Sequence, residues 1–238
     1  MNLTPDQVLG WLVFGLVLVI GSVALIALFL GGRREEQRAT AALDGAVRSL
    51  GIIPGHGAIP AHGIPCWRAI VGEHRGRPIA IELVAGGKGG SSATYLSRRV
   101  AAARTLPLAS SIYPNNLPWL SISPKAALPG RRESKGLVTG DAAFDATYLT
   151  TGMVSMSLMT GAKALQGHFA LSPAIAPALA RVPPDVTFFF DGEFVLAFWR
   201  QWHLEESRLV SVIDALDVLA RDVPSWIDQL ARAGAAIR

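Results

Sequence analysis

The residues with chemical potential start at a glycine-rich stretch. Gly86-Gly87-Lys88-Gly89-Gly90-Ser91-Ser92 follows a β-rich run, a setting in which backbone amides and a lysine can cradle phosphates. A phosphate loop needs Gly, four residues, then Gly-Lys-Ser/Thr. Here Gly89 follows Lys88 and the next residues read as strand, so the stretch reads as a turn between strands. His56, His62 and Cys66 offer imidazole and thiolate, which suit zinc. Their H-x5-H-x3-C spacing fits no common site, and no fourth ligand stands out. Asp141 and Asp145 could pair for acid–base work or bind a cation, but a turn leading into a strand explains them as well. His74 sits among Arg75 and Arg77, at a hairpin tip where solvent is the expected neighbour. His168 and His203 have no evident partners, and Ser91, Ser92, Ser110 and Ser111 lie in no G-x-S-x-G elbow. The reading is no catalytic residue, no cofactor and no metal.

Tryptophans carry more. Leu117-Pro118-Trp119 ends a Pro- and Asn-rich loop, and a stiff loop presenting Trp can anchor a partner. Trp202, beyond the apolar run that ends at Trp199, is a second candidate. Leu117, Pro118, Trp119 and Trp202 are therefore the expected partner-binding residues. Net charge is +4, but the basic residues come in separated pairs (Arg33-Arg34, Arg98-Arg99, Arg131-Arg132) with no stripe interleaved with aromatics. That excludes a nucleic-acid footprint. Cys66 is the one cysteine, so no intramolecular disulfide forms.

These residues must be positioned by recognisable elements. Residues 66–71 and 79–84 read as a hairpin about a turn at 73–77. Residues 93–100 and 119–123 read as strands. Ser172-Pro173 reads as a helix start, Ser capping and Pro in the first turn. Residues 186–190 and 193–199 flank Asp191-Gly192, the type I′ hairpin signal. Both runs are apolar on both faces, which places them at the centre of a covered sheet. Leu209, Val212, Ile213, Leu216, Leu219, Val223, Trp226, Ile227 and Leu230 make one helical stripe, with Pro224 expected to kink it or start a second helix. Ala39, Ala42, Leu43, Ala46, Val47 and Leu50 recur with helical period, and Gly51 stops that helix.

Residues 8–32 are uninterrupted by charge. Twenty such residues cross a bilayer core of about 30 Å as a helix. The sequence therefore predicts an N-terminal transmembrane anchor over 1–32, a juxtamembrane stalk helix over 33–53 and a soluble α+β domain over 54–238. Trp11 is expected at one membrane surface. Arg33, Arg34 and Arg38 are expected at the other, which by the positive-inside rule is cytoplasmic. The expected place is a bacterial inner membrane, single-pass, N-terminus outside.

Three pieces, Arg75-Gly76-Arg77-Pro78, the G-D-x-x-F-D run from Gly140 to Asp145, and Asp191-Gly192, make the chain resemble a loose group of uncharacterised bacterial single-pass membrane proteins. The resemblance implies a membrane segment followed by a domain of unknown function. It brings no catalytic residue.

The fold class expected is α+β: a transmembrane helix, then an antiparallel hairpin-rich sheet packed with helices. The function expected is a non-catalytic single-pass membrane protein whose cytoplasmic domain binds a partner, as accessory or assembly subunit of a membrane complex. Its expected partners are the bilayer and a membrane-protein complex, with no nucleic acid. The alternatives are a membrane-anchored enzyme or ligand-binding domain around Asp141, Asp145 or His74, and a homo-oligomeric scaffold.

Overall fold

The computed structural model describes residues 5–55, 66–84, 92–99, 120–128, 136–157, 161–164, 167–190 and 194–236. The chain divides into two units, Met1–Gly45 and Ala46–Arg238.

Helix α1, Pro5–Ser49, begins in the first unit and ends in the second. Its end is set by backbone chemistry. The Gly51 amide donates to the Arg48 carbonyl and the Ile52 amide to the Val47 carbonyl. This double cap requires the left-handed conformation that Gly51 adopts at φ +61°. Ile52, the residue after the cap, is buried.

The expected membrane span over residues 8–32 is corrected here. Among the described residues, no helix is long and apolar enough to cross a membrane. The inner-membrane placement, its orientation and the single-pass assignment lose their basis with the span. Arg33, Arg34 and Arg38 are exposed helix residues, and the Trp11 side chain lies outside the described set.

The second unit is built on one sheet. Its strands are β1 (Ile53–Pro54), β2 (Arg68–His74), β3 (Arg77–Val84), β4 (Ala93–Arg99), β5 (Leu120–Pro124), β6 (Leu137–Val138), β7 (Tyr148–Ser157), β8 (Gly161–Ala164), β9 (Gly167–His168), β10 (Thr187–Phe190) and β11 (Phe194–Arg200). The order is β1-β2-β3-β4-β11-β10-β5-β7-β6-β9, with β8 pairing on β7. Every pairing is antiparallel except β6 with β9. Among the described residues, three α-helices accompany the sheet: α2 (Ala142–Thr147), α3 (Ile175–Leu179) and α4 (Glu206–Ala236).

Register explains which residues are core. Ile81 lies opposite Leu96, Leu96 opposite Ala197, Ala197 opposite Phe188 and Phe188 opposite Ile122. Side chains in register share a face, and all five are buried. This is the face that α4 covers, because Phe190, in phase with Phe188, meets Trp226 of α4 edge-on at 5.9 Å. Helix α4 supplies Leu209, Val212, Ile213, Leu216 and Leu219, none of them solvent-accessible. The other face carries Tyr95, Phe198 and Phe189, with ring centroids 4.9 Å and 6.4 Å apart along the row. Strand β11 is apolar on both sides because both of its faces are used.

Local expectations differ in three places. Residues 142–147 are a short helix rather than a turn into strand, because Asp141 accepts the Ala143 and Phe144 amides and caps it. The helix after Ser172 starts later, at Ile175, with Ala174 at the cap. Ser172 instead accepts the Ala174 amide on its hydroxyl and donates its own amide to Asp222, so it fixes the turn before α3 to α4. Helix α4 runs on through Pro224 as one element.

Strand β1 lies on β2 at the one place where β2 has no side chain. A Cβ on Gly72 would stand 2.3 Å from the Ile53 carbonyl oxygen. Gly72→Ala is expected to lose the β1 pairing and cost about 2 kcal/mol in urea unfolding. A change under about 0.5 kcal/mol would mean that β1 is not held against β2 in solution.

Candidate functional site

The described residues converge at one polar site, built on the β2–β3 turn. His74 pairs with Arg77 in register. Arg75 and Gly76 between them both have positive φ, +53° and +69°, the geometry of a type I′ hairpin. A turn this tight sends three carbonyls toward the neighbouring strand. Arg98 of β4 meets them: its Nη1 donates to the carbonyls of His74 (3.3 Å), Arg77 (3.0 Å) and Pro78 (3.4 Å). Arg98 is 1% exposed.

A buried guanidinium needs a counter-charge, and α4 brings it. Asp217 Oδ2 accepts from Arg98 Nη2 at 3.4 Å. Asp217 Oδ1 lies 3.2 Å from Arg98 Nε, in a geometry that makes an ion pair but no directed hydrogen bond. Arg77 shares Asp217 at 3.5 Å, and Arg75 pairs with Asp214 at 2.9 Å on the exposed rim. Burial pushes the Arg98 pKa below its ordinary value, and Asp217 opposes that shift.

His74 completes the cluster. Its Nδ1 is 3.0 Å from Arg98 Nη2. A guanidinium only donates, so Nδ1 accepts and the ring is neutral. The expectation of a solvated hairpin-tip histidine is corrected: His74 is 6% exposed. Burial, then Arg98 and Arg75, hold its pKa below the usual value, and Asp217 and Asp214 act the other way.

This arrangement has little free bonding capacity. The guanidinium is spent on three carbonyls, an imidazole and a carboxylate, which makes it a clasp between a hairpin and a helix. Sequence reasoning missed Arg98 and Asp217. The signal was present for Arg98, which is in phase with Leu96 and Thr94 in a strand of period two.

The residues singled out from sequence fall elsewhere. Asp145 accepts from the Thr139 amide (3.1 Å to each oxygen) and hydroxyl (2.8 Å), so Asp141 and Asp145 hold α2 and its entry. Among the described residues, no group of three or more His, Cys, Asp or Glu could hold a metal. Cys66 is half-buried. His56, His62, residues 86–91, Leu117, Pro118 and Trp119 lie outside the described residues.

Trp202 is described. It stacks on Trp67 at 5.2 Å with 17° between planes, and its indole Nε1 donates to the Val84 carbonyl at 3.2 Å. Gln201 sets it there from a left-handed backbone, φ +67°. The Gln201 amide donates to the Ser92 carbonyl and its carbonyl accepts from Thr94 Oγ1 at 2.8 Å. Both indoles stay half-exposed. Trp199, by contrast, is fully buried and donates to the His203 carbonyl at 3.1 Å.

No protein-family model, curated protein or solved structure matches the chain.

Removing one side of the clasp leaves a buried charge. Asp217→Leu is expected to destabilise the fold by about 3 kcal/mol. Arg98→Met combined with Asp217→Leu should recover most of that loss in the same urea titration, because a buried pair replaced by apolar volume is close to neutral. A double variant as unstable as the single one would show that the guanidinium's carbonyl bonds matter more than its charge pairing.

Proposed function

We propose that this chain is a non-catalytic assembly protein, an accessory subunit whose role is to bind a protein partner. The observation that supports this reading most is the apolar stretch of α1. Phe14, Leu16, Val17, Leu18, Val19, Ile20, Val23, Leu25 and Ile26 are each 55–69% exposed. Residues 16–20 are consecutive, and at about 100° per residue five successive side chains point around the whole circumference. A helix apolar all round is buried in its working state, and exposed apolar surface of this extent marks an interaction site. The Trp67–Trp202 pair is a second contact of the right chemistry, since half-exposed tryptophans are favoured anchors.

The enzyme reading has less support. His74 Nδ1, Asp141 Oδ1 and both carboxylate oxygens of Asp145 are committed to holding the fold. A homo-oligomer shares the logic of an apolar helix seeking cover and differs in the partner's identity.

The test is a photo-reactive residue placed at Val19 and, separately, at Trp202 of the full chain in its native cell. One other polypeptide captured in stoichiometric yield from both positions is the expected result. Trp202→Ala should weaken that complex about tenfold, as for an interface anchor. Capture of further copies alone would favour the homo-oligomer. Lipid as the sole adduct at Val19 would overturn the protein-partner reading.

A further inference from the structure

His74 is enclosed by charge from each element packed on it. Arg75 and Arg77 flank it in its own turn, Arg98 comes from β4, and Asp214 and Asp217 come from α4. Arg221 of α4 donates to the Asp217 carbonyl, and Glu73 lies on the other side of β2 and is exposed. Three guanidiniums thus face two carboxylates, so cations are in excess while the imidazole is neutral. Asp217 is already shared between Arg98 and Arg77.

Adding a proton to Nδ1 would set an N–H against a guanidinium N–H at 3.0 Å. The site is buried, so water cannot separate the two cations. The nearest carboxylate is taken. The strain is relieved if the turn and α4 part, which lets the ring and Arg98 reach solvent.

We propose that His74 is a proton-operated catch: protonation of its ring releases the β2–β3 hairpin from α4, so this junction loosens in mildly acidic surroundings.

The direction follows from linkage. The ring binds a proton more readily when open than when closed, since its closed pKa is held below 6.5. The clasp therefore has its full strength above 6.5 and weakens as pH falls below it. The opening constant should rise at least threefold between pH 7.5 and 5.0, with about 30-fold as the ceiling that an ordinary imidazole in the open state allows.

Hydrogen exchange of the full chain, followed by mass spectrometry and corrected for the intrinsic pH dependence of the chemistry, reads this directly. Amides of 68–84 and 206–220 should show the increase. His74→Asn keeps a non-titrating side-chain acceptor near the Nδ1 position and should flatten the pH response. A change under about threefold in the wild type, or an unaltered response in His74→Asn, would overturn the proposal. If His74→Asn does not fold, the wild-type His74 ring titration by NMR decides. A midpoint below 6.5 supports the catch, and one at or above it refutes it.

Discussion

A charge buried in a sheet-to-helix interface is the constraint that organises the second unit. Arg98 could have been an apolar residue, like Leu96 two positions before it. As an arginine it must find five donors' worth of acceptors without water. The β2–β3 turn supplies three carbonyls because it is tight, and α4 supplies Asp217 because its helical phase aims that residue at the turn. The same interaction therefore fixes the turn geometry, the register of β3 on β4 and the position of α4. A buried pair adds little net stability compared with apolar packing. Its effect is selective: other placements of α4 leave a guanidinium with no counter-charge.

Around that clasp the packing is ordinary hydrophobic burial. Charged residues are 17% of the chain, and the sheet accounts for part of that scarcity. Strand β11 has apolar or aromatic residues toward α4 and toward the Tyr95–Phe198–Phe189 row alike. Burial, and then the Glu82 carboxylate, raise the Tyr95 pKa, which keeps the phenol protonated within that row.

Much of the sheet was legible in the residues. Alternation and β-branched runs place β3, β4, β5, β10 and β11 within a residue or two, β2 runs three residues past its expected end, and the stripe on α4 gives its buried face. These signals are local, with periods of two and 3.6. The clasp was not legible, because Arg98 and Asp217 are 119 positions apart and only the strand order brings them together. His74 misleads for a related reason: a histidine between arginines at a hairpin tip reads as solvated until another strand and a helix close over it. Asp141 and Asp145 were visible as a pair, but their capping role depends on the short α2 that they themselves stabilise. The membrane assignment rested on the charge-free run of residues 8–32, whereas among the described residues no helix is long and apolar enough to cross a membrane.

If Arg98 joins the turn to α4, its guanidinium cannot rotate freely. A 1H–15N spectrum of the full chain that resolves arginine side chains reads this most directly. The account predicts separate, slowly exchanging Nη resonances for Arg98, assigned by their loss in Arg98→Met. An Arg98 signal averaged by fast rotation and exchanging with water like an exposed arginine would contradict it.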